Sequence, residues 1–494
     1  MKKKRITVLI LILFAVITLS AATILFLFGR QSGNIPKGSG IVDPNAVSKA
    51  GDDDSFAAIG EDAWFYFDSH LIKYYDPYKK KSFILCSRSN CLHVNKECDA
   101  WFGNDDDGGS AIVGVAAEGN YVYVMSSGEM DRFFDKDRPV SYQIIRIDPS
   151  DGTRKVIAEF SNSIYAKPGD GKEYLSHFDS GNVYICNGIL WLKTQWMSTP
   201  GETIADAGQQ WSQNIGVDLN TGKTINIGSR DYECNILTMG SGYVTYVHDE
   251  YDDTVLSREK FYNQLTEKGS VEFGGSTYND YTAYLNAVKK NSGVTSKYYL
   301  YHLNDGTTEE LFESKTVPVH LMRDSSIVNQ ESKKVVFGSY NDLLLIKEWL
   351  PDNNGEYSQK HFRASLYNIK DGSSEQFFET ENGHIPSTMI DGLNGILADG
   401  SVIIYQYSKD GAKTEDWVYN VETKELKYIA TKEDVGYNFR PEGIWNDGFI
   451  GIVYQLNGFP EGAHGDYFPM SYAWISRKDY LSGNMNALIR YKIK

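Results

Sequence analysis

The sequence has little proline and little cysteine, and it lacks the short motifs that identify many enzyme families. Only 13 of its 494 residues are proline, and no extended low-complexity tract follows residue 55, which argues against a globally disordered chain. Five cysteines leave at least one unpaired within the chain. There is no G-x-S-x-G elbow, no H-E-x-x-H, no Walker loop and no G-x-G-x-x-G after a strand. The sequence therefore favours a protein that is not an enzyme.

Positive charge is also scarce. The formal net charge is −16, and five of the Lys and Arg residues lie within the first 30 positions. Binding to a nucleic-acid backbone requires clustered Lys and Arg that neutralise phosphates. The acidity argues against a nucleic-acid partner and is typical of a soluble surface.

The N-terminus carries the one long apolar run. Residues 6–29 contain no charged side chain, and as a helix they would extend about 36 Å at roughly 1.5 Å per residue, enough to span a bilayer core of about 30 Å. Residues 2–5 are basic, so the positive-inside rule predicts a cytoplasmic tail at 1–5, a transmembrane signal anchor at 6–29 and an extracellular remainder. A cleaved signal peptide with Ser20-Ala21-Ala22 as its cleavage site is the alternative. Residues 30–55 are predicted to be a flexible linker.

From residue 56 onward one pattern recurs. A Gly, Asn or Asp turn precedes a short aromatic or β-branched strand, and a later strand ends in a tight turn such as Asp-Gly or Thr-Gly. The opening strands are predicted at 64–67, 121–124, 183–185, 243–247, 343–346, 402–405 and 449–453.

Seven such units predict an all-β fold over 56–494, a β-propeller of about seven four-stranded blades. Six or eight blades, or a pair of β-sandwiches, are the alternatives. Residues 55–59 are predicted to join 488–493 and close the ring. A helical insertion near 254–293 interrupts the fourth unit, with Thr277 predicted as the N-cap of its second helix.

One dense constellation carries potential chemistry: Cys86-x4-Cys91-x-His93-x4-Cys98. Three thiols and an imidazole match the ligands of a closed structural zinc site, although the spacing is not that of a standard zinc finger. Outside the cell, a Cys86–Cys98 or Cys91–Cys98 disulfide is the alternative, and unpaired thiols are the third. None of these implies catalysis.

The segments CSRSNCLHVNKECDA at 86–100 and ISRKDYLSGN at 475–484, together with the N-terminal anchor and the repeated units, give the chain a family resemblance. It resembles the extracytoplasmic β-propeller proteins of Gram-positive, clostridial bacteria, of the TolB-like and domain-of-unknown-function type. That resemblance implies a propeller held at the outer face of the cell membrane and transfers no catalytic residue.

The leading hypothesis is therefore a non-catalytic binding or scaffolding module for an extracellular protein, peptide or glycan. The rival hypothesis is an extracellular carbohydrate-active hydrolase or lyase built on a propeller. Such an enzyme would place two carboxylates close together in space rather than in sequence.

Overall fold

The computed structural model describes part of the chain. The described residues are 41–42, 58–60, 62–68, 70–95, 97–102, 112–119, 121–126, 141–161, 173–198, 210–228, 234–240, 242–250, 255–292, 294–315, 333–351, 353–355, 357–379, 385–386, 396–397, 399–407, 414–431, 437–455 and 471–491. The predicted membrane segment, 6–29, lies outside them. Within these ranges no helix is both long enough and apolar enough to cross a membrane.

The described strands form eight antiparallel sheets, of which seven are blades of a β-propeller and one is a two-stranded hairpin. Blade 1 contains β2 (Ala58–Ile59), β3 (Trp64–Asp68), β4 (Leu71–Asp76) and β5 (Lys81–Ile84). Blade 2 contains β6 (Ile112–Glu118), β7 (Tyr121–Ser126), β8 (Ser141–Ile147) and β9 (Arg154–Ser161), and blade 3 contains β10 (Glu173–Cys186), β11 (Ile189–Ser198), β12 (Gln210–Asp218) and β13 (Thr224–Ile227).

The remaining blades follow the same order along the chain. Blade 4 contains β14 (Cys234–Met239), β15 (Tyr243–Glu250), β18 (Thr295–His302) and β19 (Thr308–Lys315). Blade 5 contains β20 (Lys334–Tyr340), β21 (Leu343–Pro351), β22 (Tyr357–Asn368) and β23 (Ser374–Glu379), and blade 6 contains β24 (Ile385–Pro386), β25 (Ser401–Tyr407), β26 (Thr414–Asn420) and β27 (Glu425–Thr431). Blade 7 contains β28 (Tyr437–Asn446), β29 (Gly448–Gln455), β30 (Ser471–Ser476) and β31 (Ile489–Tyr491). The predicted all-β propeller of seven blades is confirmed.

The position of the predicted units within the blades needs a correction. Six of the seven predicted opening strands are the second strand of a blade, and the other, at 183–185, lies at the end of a first strand. In blades 1 and 2 the true first strand, Ala58–Ile59 or Ile112–Glu118, is short or poor in aromatic residues. Its burial comes from neighbouring blades, so it carries a weak local signal.

Each joint between blades contains its own hydrophobic cluster. Val115 and Val122 of blade 2 pack with Phe65 and Ile72 of blade 1, and the joints 2–3, 3–4, 4–5, 5–6 and 6–7 are filled in the same way. The seventh cluster joins blade 7 to blade 1. A four-stranded sheet thus hides its two faces against its two neighbours, which is how a propeller buries a chain of this length.

The ring closes differently from the sequence prediction. Ala58–Ile59 pair with β3 inside blade 1, and Ile489–Tyr491 pair with β30 inside blade 7, so these two segments do not pair with each other. Instead Ile41 and Val42, from the predicted linker, form β1 and pair with Asn446 and Trp445 of blade 7. Aromatic packing completes the closure, with Trp64 edge-on to Trp445 and to Tyr491 at centroid distances of 5.3 and 4.6 Å.

Blade 4 carries an insertion between its second and third strands. It consists of α1 (Arg258–Lys268), the hairpin β16 (Val271–Phe273) and β17 (Ser276–Tyr278), and α2 (Tyr281–Ser292). Thr277 lies in β17, so its predicted role as N-cap is wrong. Asp280 caps α2 instead, because its Oδ1 accepts the N–H of Ala283 at 2.8 Å.

The two faces of the ring differ because consecutive antiparallel strands reverse direction. Connections between strands 1 and 2 and between strands 3 and 4 of each blade lie on one face, here called the turn face. Connections between strands 2 and 3, and from each blade to the next, begin and end on the other face, here called the loop face. With two exceptions, 387–400 and the segment 477–488 that contains α3 (Arg477–Leu481), the turn-face connections are tight turns.

A five-residue turn joins strands 3 and 4 in six blades, at 76–80, 148–152, 218–222, 302–306, 368–372 and 420–424. Its last residue has a positive φ in every copy, which glycine adopts most readily. In five copies the first residue is Asp or Asn, whose side-chain oxygen accepts backbone N–H groups from the turn, as Asp218 does from Asn220 and Thr221.

Hydrogen bonding in this turn predicts that the free energy of unfolding falls at acidic pH. The backbone N–H of Thr221 is the main cause that lowers the pKa of Asp218. A carboxyl with a lowered folded pKa stabilises the fold above its unfolded value and loses that contribution as pH falls through the folded value. We expect Asp218→Asn, which keeps an acceptor oxygen as Asn368 and Asn420 do, to be less stable than wild type at pH 7 by under about 1 kcal/mol, since the carboxyl is partly exposed and solvent screens it. Denaturant unfolding should show this gap closing below about pH 4, and an equal gap at pH 3 and pH 7 would contradict the assignment.

The closure cluster predicts a large effect of one side chain. Trp64 is fully buried between blades 7 and 1, and truncation leaves a cavity that the surrounding rings cannot fill. We expect Trp64→Ala to lower the free energy of unfolding by about 3–5 kcal/mol, measured by chemical denaturation. Val156→Ala, at a half-exposed position on β9, is the control and should change stability by under about 0.5 kcal/mol; equal losses would show that the closure cluster does not hold the ring.

Candidate metal centre

The predicted Cys/His cluster lies in the loop between blades 1 and 2, and one strand fixes both ends of that loop. After β5, the N–H of Leu85 donates to the Ile72 carbonyl at 3.0 Å. The chain then leaves the sheet and returns, so that the N–H of Ile72 donates to the Ala100 carbonyl at 3.0 Å. Residues 100–102 therefore continue the outer edge of blade 1 beyond the short strand β5.

Between these anchors the loop folds through local turns. The N–H of Cys91 donates to the Arg88 carbonyl, and the N–H of Cys98 donates to the Asn95 carbonyl. His93 adopts a φ of 57°, in the left-handed region where histidine is enriched among non-glycine residues. Its Nδ1 lies 3.2 Å from the sulfur of Cys98.

All four predicted ligands come together. One ligand atom from each of Cys86, Cys91, His93 and Cys98 lies within 4.8 Å of the other three. A tetrahedral Zn²⁺ with bonds of about 2.3 Å to sulfur requires sulfur atoms roughly 3.8 Å apart, so the spread of these atoms fits one ion. Cys98 is buried and the other three are partly exposed.

The other two cysteines lie elsewhere. Cys186 and Cys234 are buried in the cluster between blades 3 and 4, and the Cys186 thiol donates to the Gly240 carbonyl. All five cysteines are free thiols in this structure. Neither predicted disulfide of the cluster is formed here, while the sulfur spacing leaves the metal interpretation intact.

Burial sets the protonation of the innermost ligand. Loss of water raises the pKa of the Cys98 thiol to about 12, and the N–H of Ala100, which donates to its sulfur at 3.4 Å, acts in the opposite direction. Without a cation beside it, Cys98 is thus a neutral thiol at pH 7. A metal ion would have to displace that proton.

A residue from the next blade, absent from the sequence prediction, supports the loop. Arg154 begins β9 of blade 2, and its guanidinium donates to the carbonyls of Cys98, Asp99 and Trp101. It also lies 4.2 Å from the ring centroid of Phe102. Loss of solvent around the guanidinium lowers the pKa of Arg154, against the opposing effect of Asp99.

Asp99 adds a polar edge to the cluster. Its carboxylate accepts a hydrogen bond from Ser87 at 2.8 Å and pairs with Arg88 at 3.2 Å. The Cys86 sulfur lies 3.9 Å from the same carboxylate. Turns and ion pairs thus surround the four candidate ligands. Four protein ligands would leave a tetrahedral ion no open position for substrate.

The Arg154 contacts predict a loss of stability that a charge change alone would not cause. Arg154→Met keeps much of the stem but leaves three carbonyls without their donor, so we expect a loss of about 1–3 kcal/mol in the free energy of unfolding. The neighbouring exposed Lys155→Met removes the same charge and should cost under about 0.5 kcal/mol. Equal effects of the two substitutions in urea titrations would contradict a specific role of Arg154.

Comparisons with known proteins give only loose likenesses. No protein-family model matches the sequence, and no curated protein matches it either. Among solved structures the chain is similar to an oligogalacturonate lyase in complex with manganese, with 8% identity over 73% of this chain and 72% of that one and a TM-score of 0.39. It is similar to the β-propeller domain of the Trilobed protease from Pyrococcus furiosus, with 9% identity over 85% and 93% and a TM-score of 0.39.

A third similar structure is Oligopeptidase B from Leishmania major, with 10% identity over 90% of this chain and a TM-score of 0.43. The chain spans 49% of the length of that protein. These likenesses are loose, and the propeller assignment rests on the seven sheets themselves.

Proposed function

We propose that this chain is a non-catalytic binding or scaffolding propeller that presents its loop face to an extracellular protein, peptide or glycan. The observation that carries the proposal is the asymmetry between the two faces. Apart from 387–400 and 477–488, the turn-face connections are tight turns, whereas most of the long connections begin and end on the loop face. Binding residues are commonly found on such loops, positioned by a rigid scaffold.

The loop-face connections are long in four blades. Residues 127–140, 199–209, 251–294 and 456–470 link the second and third strands of blades 2, 3, 4 and 7. Aromatic residues occur among them: 127–140 has Phe133 and Phe134, and 456–470 has Phe459, Tyr467 and Phe468. Aromatic rings supply stacking and apolar area for peptides or sugar rings.

The insertion of blade 4 adds a folded platform at this face. Phe261 of α1 and Tyr281, Tyr284 and Val288 of α2 are buried in a core of their own. The Tyr284 hydroxyl accepts the N–H of Leu256 at 2.9 Å. An insertion with its own core and internal hydrogen bonds offers a rigid surface, and repeat proteins often place per-repeat insertions on the binding face.

The N-terminal sequence supports a location of the module outside the cell. The apolar segment 6–29 and the basic residues 2–5 support a single-pass anchor with the propeller outside the cell. At the Cys/His cluster, four protein ligands would leave a bound ion no position for a substrate, so this cluster gives the rival enzyme hypothesis no support. Display at a membrane surface would bring a bound partner or wall glycan to the cell.

The test compares the two faces of the same protein. The full chain, purified in detergent, is applied to a glycan array and a peptide array, and each hit is measured by calorimetry. In a loop-face variant, residues 255–292 are replaced by Asn-Gly; in the turn-face control, the turn 369–373 is replaced by the residues of 219–223. We expect the loop-face variant to bind at least about 10-fold more weakly (~1.4 kcal/mol) and the control to bind as wild type.

Three results would contradict the proposal in whole or in part. Equal binding by both variants would place the ligand away from the blade 4 insertion. An absence of binding to either array would exclude the peptide and glycan classes. Consumption of a bound oligosaccharide, seen as new reducing ends or unsaturated products, would favour the carbohydrate-active hydrolase or lyase.

A further inference from the structure

We propose that Cys86, Cys91, His93 and Cys98 bind one Zn²⁺ ion, and that this ion locks the outer edge of blade 1 against blade 2 through Arg154. The inference concerns a structural site at the rim of the ring, and it stands whether or not the loop face binds a partner.

The donor set selects the metal. Three thiolates and one imidazole are soft and borderline ligands, which favour Zn²⁺ over the oxygen-seeking Mg²⁺ and Ca²⁺. Their ligand atoms already lie within 4.8 Å of one another, so one tetrahedral ion could contact all four after small side-chain rotations. A loop this short, with both ends hydrogen-bonded to Ile72, brings the ligands together before the metal arrives.

The geometry of His93 favours a metal site over a disulfide. A bridge between two of the cysteines would use neither His93 nor the third thiol. Yet His93 adopts a positive φ that directs Nδ1 to within 3.2 Å of the Cys98 sulfur. A metal centre accounts for all four convergent side chains, whereas a disulfide accounts for two.

Charge balance at the site is consistent with an ion. Binding forms three Zn–S bonds and one Zn–N bond, and the three thiols release their protons to solvent. Three thiolates, a neutral imidazole and Zn²⁺ sum to a net charge of −1. The guanidinium of Arg154 on the Cys98 carbonyl and that of Arg88 beside Asp99 place positive charge next to this centre.

The contact with blade 2 gives the ion its structural role. The turn that ends at Gly152 of blade 2 packs so closely against this loop that a Cβ at position 152 would lie 2.7 Å from the Ser87 hydroxyl. At the next joint, Gly222 of blade 3 packs in the same way against the Ile157 carbonyl of strand β9. In blade 1 the turn of the next blade packs against a loop instead of a strand. A bound ion would hold this loop in one conformation, as strand hydrogen bonds hold β9.

The primary test is metal content. The full chain is purified in detergent under anaerobic conditions and analysed by inductively coupled plasma mass spectrometry, with about one zinc per chain expected. Replacement by Co²⁺ should give the thiolate-to-cobalt charge-transfer band and the strong visible bands of a tetrahedral site. Cys91→Ser and His93→Ala should weaken Zn²⁺ affinity by at least about 100-fold in competition with a chromophoric chelator, since even outer-shell changes cost about 10- to 100-fold.

Cys186→Ser is the matched control, because it removes a thiol outside the cluster and keeps a donor for the Gly240 carbonyl. It should retain one zinc and wild-type affinity. The role of the ion is tested separately: chelation should lower the melting temperature and speed proteolysis within 86–99, and Arg154→Met should keep the zinc while losing part of the melting shift that chelation causes.

Several outcomes would overturn the proposal. A chain with no zinc that takes up neither Zn²⁺ nor Co²⁺ under reducing conditions would refute the site. A disulfide between two of the cluster cysteines in anaerobically isolated protein would replace it. Equal loss of metal in Cys186→Ser would show nonspecific thiol binding, and an unchanged melting temperature after chelation would refute the structural role.

Discussion

The whole ring depends on each blade burying its faces against the next. Seven hydrophobic clusters fill the seven joints, and each draws its residues from two blades rather than one. No blade could bury its own apolar surface, because a single four-stranded sheet has two faces and no second layer. The last joint is therefore as necessary as the first, and the indole of Trp64, between Trp445 and Tyr491, is where the ends of the ring meet.

Polar contacts between blades reinforce this packing and many lie near the turn face. The Gly188 N–H donates to Glu118 across joint 2–3, the Tyr243 hydroxyl to the Asn341 carbonyl across joint 4–5, and Arg477 pairs with Asp399 across joint 6–7. Joints 3–4, 5–6 and 7–1 have contacts of the same kind. These contacts hold neighbouring blades together without using the long loop-face connections.

The sequence predicts those parts of the fold that local chemistry dictates. Second strands and the Asp or Asn turns can be predicted because aromatic residues, β-branched residues and Asp-Gly pairs favour a strand or a turn at their own positions in the sequence. First strands such as Ala58–Ile59 were missed, because neighbouring blades supply their burial. The pairing of Ile41–Val42 with blade 7 cannot be predicted for the same reason, since these two residues form a strand only through their contact with Trp445 and its neighbour. In the candidate metal centre, spacing identified the four ligands, but Arg154 lies more than 50 residues away and only the folded ring brings it to the Cys98 carbonyl.

The short strand β5 explains why the first joint would need a cross-link. Blade 3 has an equally short outer strand, Thr224–Ile227, but only residues 228–233 lead on to blade 4, and Asn214 donates to the Cys234 carbonyl across that joint at 2.7 Å. Blade 1 is followed by residues 85–111, and the turn of blade 2 packs on the first part of that connection. A loop in this position must hold one shape without strand hydrogen bonds along its length. Four ligands on one ion would fix such a loop more completely than its local turns do, and Arg154, which donates to the Cys98 carbonyl, would join that fixed loop to blade 2.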